Sequence, residues 1–404
     1  MDVDRKEVLA NASLVVVSLA LVFASVEVGL QLTQPGPEEY PKVEACEGFT
    51  GTDRMQFHPT YGWTAKPGVT FARKDNPAQE WNRYTINDEG FRDTYGSGDR
   101  RAIVLGDSFT EGYLVDDDGS FPHLLDRWSS NVTYDNYGLA AYGTDQQLLV
   151  YRNVSDRTEH SIVVVGYYLY NDMKENVRNS STSHLPRPRF AVRDGELALV
   201  DRPVRPTNST GAGTDEPTGL VDRVQSVYRS TATYRFFVPR LAGLISGPPE
   251  PPAGEELDRR LRLTRAIVEE IGAEAERHDA TVLVVMIPER GDVRPERPSF
   301  YGAEQGQPFW NAQREMLRDV AAERDNVAVL DLDPALRAEV ERGNRVYGKR
   351  DSHLDDYGYR VVAASIHDRL ARMGYVDGAA APSVSPATTP APEDSRCRSG
   401  TGGS

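Results

Sequence analysis

The chain has 404 residues and a formal net charge of −15 at pH 7. The length is ample for one large domain with further segments. The acidic balance, with no basic stripe interleaved with aromatic residues, argues against nucleic acid as a partner. Of the 46 basic residues only six are lysine and 40 are arginine, a composition typical of proteins adapted to high salt.

An apolar run over residues 8–32 follows a polar segment, 1–7, at the start of the chain. Its length is close to the roughly 20 residues that span a bilayer. Arg5 and Lys6 precede the run, whereas mainly acidic residues follow it, so we predict a transmembrane signal anchor with the N-terminus in the cytoplasm. The rest of the protein would then lie outside the cell membrane. A cleaved signal peptide, with Ala24 near the cleavage point, is the alternative.

Residues 33–99 are rich in glycine, proline, tyrosine and tryptophan. They predict an irregular or small β-rich lead-in that packs on the main domain. The lead-in ends near Phe91 and Arg92, whose expected role is to dock it, with substrate contact as the less favoured reading.

Residues 100–375 alternate predicted strands and helices, the pattern of a doubly wound parallel α/β sheet. The predicted strands are Ala102–Leu105, Val132–Asn136, Ser161–Gly166, Thr281–Ile287 and Val327–Leu332. The predicted helices are Phe121–Trp128, Thr144–Asn153, Glu255–His278, Phe309–Arg324 and Tyr357–Met373.

An insertion over residues 180–254 interrupts this alternation. Arg189–Val200 predicts a hairpin around Asp194 and Gly195, and residues 220–245 predict an amphipathic helix that packs or serves as a lid. The tail, 376–404, lacks the apolar content to fold and is predicted to be disordered.

The two cysteines, Cys46 and Cys397, could pair only if the tail folds back; otherwise they are free thiols. Four glycosylation acceptor patterns lie on the predicted outer side, at Asn131, Asn153, Asn179 and Asn208. Asp116, Asp117 and Asp118 lack the spacing of a calcium loop and predict a solvated loop instead.

Four polar segments follow predicted strands or precede the last helix. Ser108 lies in Gly-Asp-Ser-Phe directly after an apolar strand, and Asp351 and His353 lie in Arg-Asp-Ser-His-Leu about 245 residues later. Between them come Asn-Tyr-Gly, with Gly138, and Tyr-Asn-Asp, with Asn171. The carboxyl ends of parallel strands meet at one edge of a sheet, where α/β folds bind ligands.

Serine, glycine, asparagine and histidine in this order resemble the blocks of the SGNH/GDSL hydrolase family, over residues 80–375. The resemblance implies a flavodoxin-like sheet of five strands. It also implies Ser108 as nucleophile, His353 as its base, and an oxyanion hole formed by the Ser108 N–H, the Gly138 N–H and the Asn171 side chain.

The acid of this predicted triad is Asp351. The common family spacing is Asp-x-x-His, and the Asp-x-His found here resembles the spacing in alginate acetylation enzymes. Asp355 and Asp356 therefore remain alternatives, as does a dyad without an acid. Asp107, next to the nucleophile, is expected to organise the turn rather than to transfer protons.

A serine hydroxyl needs an adjacent imidazole to become a nucleophile, and the imidazole needs an orienting group. The sequence therefore predicts a membrane-anchored serine esterase that acts on a small ester or on an O-acyl group of a surface glycan or envelope component. No metal or cofactor is expected. An O-acyltransferase with the same residues and a non-catalytic glycan-binding protein of the same fold are the alternatives.

Overall fold

The structure is a computed structural model. It describes residues 18, 22–28, 54–73, 82–92, 94, 96, 98–178, 186–203, 250–294, 303–348, 352–377, 381, 382 and 384. The chain divides into two compact units. The first comprises residues 1–42 and 208–249, of which residues 18 and 22–28 are described, as helix. Within the described residues no helix has the length and apolar character needed to cross a bilayer, so the predicted anchor over 8–32 stays a prediction.

The second unit, residues 43–207 and 250–404, is built around a parallel sheet. The four strands before this sheet are β1 (Met55–His58), β2 (Gly62–Ala65), β3 (Thr70–Arg73) and β4 (Asn82–Thr85). The sheet itself contains β5 (Arg100–Gly106), β6 (Val132–Gly138), β7 (Ile162–Tyr168), β10 (Thr281–Ile287) and β11 (Val327–Asp331). Its strand order is β11-β10-β7-β5-β6, the flavodoxin-like order that the sequence predicts.

Helices cover both faces of the sheet. In chain order they are α1 (Ser108–Glu111), α2 (Phe121–Trp128), α3 (Thr144–Val154), α4 (Asp172–Glu175), α5 (Gly254–Glu276), α6 (Arg290–Val293), α7 (Ala303–Glu323), α8 (Asp333–Glu341) and α9 (Asp356–Arg372). Apolar side chains of α3, α5 and α7 form one hydrophobic core, and those of α2, α8 and α9 form a second. All seven residues of β7 are buried, as expected for a central strand covered on both faces.

The predicted strands and helices of the main domain are confirmed to within two residues at most ends. The exception is α7, which begins at Ala303 ahead of the predicted Phe309. Helix α8 was not predicted. Leu336 and Val340, four residues apart, both pack on the second core, but the helix has only nine residues, fewer than the roughly 11 to 18 over which a helical period is recognised.

The lead-in consists of two hairpins, β1-β2 and β3-β4, within its described residues. Arg92 docks it: the guanidinium is buried and donates to carboxylate Oδ1 of Asp117 (3.2 Å) and to the Gly112 carbonyl (2.6 Å). Asp117 also accepts hydrogen bonds from the N–H (2.9 Å) and hydroxyl (2.7 Å) of Thr85 in β4. The prediction of a solvated loop is therefore wrong for Asp117, because the lead-in covers this carboxylate.

The predicted hairpin of the insertion is confirmed by the antiparallel pair β8 (Arg189–Arg193) and β9 (Glu196–Asp201). Asp194 and Gly195 both have positive φ, as a tight hairpin turn requires. The helix predicted over 220–245, Cys46 and Cys397 lie outside the described residues, as does most of the tail.

Candidate active site

The turn between β5 and α1 presents Ser108 at the carboxyl edge of the sheet. Asp107 precedes the helix, and its Oδ1 accepts a hydrogen bond from the Phe109 N–H (2.9 Å). A Cβ on Gly106 would lie 2.0 Å from Thr110 Oγ1, so only glycine lets the helix pack this closely on the strand. Ser108 itself is 8% exposed, so the turn is mostly buried.

The structure brings Ser108 and His353 together although they are 245 residues apart: Oγ lies 2.8 Å from Nε2. The loop that carries His353 is closed by two backbone hydrogen bonds, from the Gly348 N–H to the His353 carbonyl (2.8 Å) and from the Asp355 N–H to the Val346 carbonyl (3.1 Å).

Aromatic rings hold the imidazole from the side. Its centroid lies 4.3 Å from that of Tyr113 and 4.9 Å from that of Phe109. The Phe109 ring in turn lies 4.3 Å from the Tyr168 ring, so the imidazole lies against a packed aromatic surface. Such packing restricts rotation of the imidazole.

Asp351, the predicted acid, lies outside the described residues. The alternatives can be placed. Asp355 uses one oxygen to cap α9, accepting from the Gly358 N–H (3.0 Å), and the other to pair with Arg345 (2.7 Å). For Asp356, burial and the neighbouring Asp355 raise the pKa of the carboxyl, and the side chain lies near Gly119. Both oxygens of Asp355 are therefore engaged elsewhere, and Asp356 lies beside Gly119.

Asp107 connects the nucleophile turn to Asn171. Its Oδ2 accepts a hydrogen bond from Asn171 Nδ2 (2.8 Å), which uses one of the two amide hydrogens. Burial raises the pKa of Asp107 to about 6, against the opposing effects of these hydrogen bonds and of His353. The expected organising role of Asp107 agrees with these contacts, since it holds both the helix start and a predicted oxyanion donor.

A second buried carboxyl, which sequence reasoning missed, lies behind Asn171. Asp172 accepts from the Tyr168 N–H (2.7 Å) and from Gln147 Nε2 (2.7 Å). Burial and the nearby Asp107 raise the pKa of Asp172 well above its ordinary value. Asp172 thus ties the end of β7 to α3. Because Asp172 follows Asn171 directly, these hydrogen bonds also help to fix the position of Asn171.

Gly138 occupies a position where the chain has no room for a side chain. A Cβ there would lie 2.5 Å from Thr110 Cβ and 2.6 Å from the Glu111 nitrogen. Its N–H donates to Asn136 Oδ1 (2.9 Å) in a buried environment. The predicted role of this N–H as an oxyanion donor does not fit, because its hydrogen atom is already bound within β6; Gly138 instead permits close packing of β6 on α1.

Ala141, three residues further along, has a φ of 65°, a value that residues other than glycine rarely adopt. Its carbonyl accepts from Arg187 Nη1 (2.7 Å), and the preceding N–H, of Ala140, donates to Glu111 Oε2 (3.0 Å). Within the part of the chain that the structure describes, the Ala141 N–H makes no hydrogen bond. No signal in the sequence marks this residue, since alanine gives no indication of a left-handed backbone.

Arg187 is itself fixed. Its fully buried guanidinium pairs with Asp145 (3.1 Å) and Glu175 (3.2 Å), which belong to α3 and α4.

Among the described residues no group of three or more histidine, cysteine, aspartate or glutamate side chains could hold a metal ion.

Residues 253–395 match the family described as the SGNH hydrolase-like domain of the acetyltransferase AlgX. This range contains His353 but not Ser108. The resemblance to SGNH hydrolases predicted from the sequence is confirmed. No curated protein sequence matches the chain.

Similar solved structures include a lipolytic protein of the G-D-S-L family from Veillonella parvula, at 15% identity and a TM-score of 0.37, covering 68% of this chain and 99% of the other. TesA is similar at 11% identity and a TM-score of 0.37, with the same coverages of 68% and 99%. The psychrotrophic esterase EstA from Pseudoalteromonas sp. follows at 8% identity and 0.35, with 68% and 98% covered.

Proposed function

We propose that the protein is a serine esterase of the SGNH type, which accepts the acyl group of an ester on Ser108 and passes it to water. The observation that supports the proposal most directly is the 2.8 Å separation of Ser108 Oγ and His353 Nε2 at the carboxyl edge of the sheet. A serine and an imidazole at this distance form the pair that nucleophilic catalysis requires.

In the proposed reaction Ser108 Oγ attacks the ester carbonyl carbon while its proton moves to His353 Nε2. The tetrahedral intermediate then loses the alcohol, which takes the proton from the imidazolium. Water attacks the acyl-enzyme in the same way, with His353 as base, and releases the acid and free serine. The two backbone hydrogen bonds of Gly348 and Asp355 and the ring of Tyr113 keep the imidazole in place through both halves of the reaction.

Three N–H groups are proposed to stabilise the oxyanion: the Ser108 N–H, the Ala141 N–H and the second amide hydrogen of Asn171. Neither backbone N–H makes a hydrogen bond within the described residues. Asn171 is held through its first amide hydrogen by Asp107. Donors fixed before the reaction stabilise developing charge without reorganisation. Ala141 thus takes the role that the sequence assigned to Gly138.

We propose an O-acyl group on a surface glycan or envelope component as the substrate, with a small ester as the simpler alternative. The proposal includes the anchor over 8–32 and a catalytic domain outside the cell, since the charge distribution around the apolar run favours that orientation. The reaction proposed here needs no cofactor.

Acyl transfer to a sugar hydroxyl is the second candidate, because the family matched over 253–395 is described by an acetyltransferase. The two reactions differ only in what attacks the acyl-enzyme. Incubating the purified protein with p-nitrophenyl acetate, with and without oligosaccharides, distinguishes the two reactions. An esterase releases the same amount of acetate whether or not oligosaccharide is present. A transferase forms acetylated sugar, which mass spectrometry detects.

A fluorophosphonate probe tests the nucleophile independently of the acceptor. We expect the probe to label the protein at Ser108 and to leave the Ser108→Ala variant unlabelled, because only an activated serine reacts. A properly folded wild-type protein that takes up no probe would favour a non-catalytic glycan-binding role instead.

A further inference from the structure

The carboxylate of Glu111 lies where the nucleophile turn, the loop after β6 and the lead-in meet. Glu111 is the last residue of α1, three positions after Ser108, and its side chain is fully buried. Oε1 accepts from Arg54 Nη1 (2.6 Å), and Oε2 accepts from the Ala140 N–H (3.0 Å). One buried carboxylate therefore connects three segments that are distant in sequence.

The loop over residues 139–143 is constrained from two sides. Glu111 holds the Ala140 N–H, and Arg187 holds the Ala141 carbonyl at 2.7 Å. Between these contacts Ala141 adopts its left-handed backbone with φ of 65°. A strained conformation of this kind persists only where the surroundings over-determine it, and such residues cluster at active sites. Here the surroundings are two charged, buried side chains.

We infer that Glu111 and Arg54 are positioning residues of the active site: Arg54 fixes Glu111, and Glu111 fixes the Ala140 peptide so that the Ala141 N–H faces the oxyanion. The inference rests on the proposed function. It also gives the lead-in a part in catalysis, since Arg54 belongs to the lead-in and is 57 residues from Glu111.

A glutamine at position 111 tests this role with little change in shape. Its single amide oxygen can accept from Arg54 or from Ala140 but not from both, and its NH₂ group then faces the other donor. A purely structural clamp would lose stability alone. A positioning residue also loses transition-state stabilisation, which lowers kcat while leaving KM nearly unchanged.

We expect Glu111→Gln to lower kcat for p-nitrophenyl acetate by about tenfold to hundredfold, less than the roughly 10² to 10³ that loss of an oxyanion donor costs. Arg54→Met should show a smaller loss in the same direction, and Arg54→Lys should restore most of it. Asp135→Asn is the matched control, because it breaks an ion pair with Arg101 (2.7 Å) between strands β5 and β6 that involves none of Glu111, Arg54 and Ala140.

Wild-type kcat in Glu111→Gln, or an equal loss in Asp135→Asn, would overturn the inference. Should Glu111→Gln not fold, Arg54→Met decides on the same criteria. Hydrogen–deuterium exchange of the peptide over 139–143 gives a readout that needs no activity. Exchange there should be faster in both variants and unchanged in the control; unchanged exchange in all three contradicts the inference.

The two proposals can fail separately. If wild-type protein cleaves no ester and takes up no fluorophosphonate, the proposed function fails, while the exchange experiment still shows whether Glu111 holds the loop. If the wild type is active and depends on Ser108, yet Glu111→Gln is equally active, only the positioning role is wrong.

Discussion

Replacing Asp107 by asparagine tests by how much the buried carboxyl before Ser108 lowers the free energy of unfolding. Asp107 is fully buried, and its ionised form is stabilised by hydrogen bonds from the Phe109 N–H, the Asn171 amide and its own backbone N–H, and by the neighbouring His353. Burial outweighs these contacts and raises the pKa of the carboxyl from 3.8 to about 6. The ionised form is therefore less stable in the folded protein than in the unfolded chain.

A rise of the pKa from 3.8 to about 6 corresponds to a destabilisation of about 3 kcal/mol once Asp107 is ionised in both states. At low pH, where the carboxyl is protonated in both states, the penalty is absent. It grows as pH rises from about 4, because the unfolded chain ionises first, and it is complete above about pH 6 to 7. Asparagine, which does not ionise, lacks this dependence.

The measurement is the free energy of unfolding in urea for wild type and Asp107→Asn at pH 4 to 8. The wild-type value minus the variant value should fall by about 2 to 3 kcal/mol across this range. Taking the difference cancels the titration of all other groups that the substitution leaves unchanged. A difference that stays constant, or that increases with pH, would refute the reasoning, since it would mean that burial does not disfavour the Asp107 carboxylate.

Further predictions concern the catalytic groups. Ser108→Ala should abolish ester cleavage, and adding His353→Ala should cost little more, because the two act as a unit; additive losses in the double variant would argue against the pair. Asn171→Ala should lower kcat by about 10² to 10³ with little change in KM, whereas a raised KM at unchanged kcat would mark a substrate-binding role. Asp351→Asn should lower kcat by up to about 10⁴, and Asp355→Asn should leave it near wild type while weakening α9. Wild-type kcat/KM in the Asp351 variant across pH 5 to 9 would indicate a dyad.

Local signals in the sequence were sufficient for the sheet and for the nucleophile turn. Runs such as Ile162–Val165 predict buried strands because side-chain burial on both faces requires continuous apolar residues. Gly106 and Asp107 predict the turn because a close approach and a helix cap need those residue types within a few positions. The same reasoning missed α8, because its nine residues are fewer than the roughly 11 to 18 over which a helical period is recognised.

The roles of Gly138, Ala141 and Glu111 depended on the tertiary structure. The Gly138 N–H is bound by Asn136, and Glu111 and Arg187 hold the peptides on either side of the left-handed Ala141. These partners are brought together only when β6, α1 and the insertion pack. Which N–H pairs with which acceptor among segments tens of residues apart is not visible in the local sequence pattern. The sequence therefore pointed to Gly138, whereas the oxyanion role that we propose for Ala141 rests on contacts formed only in the packed structure.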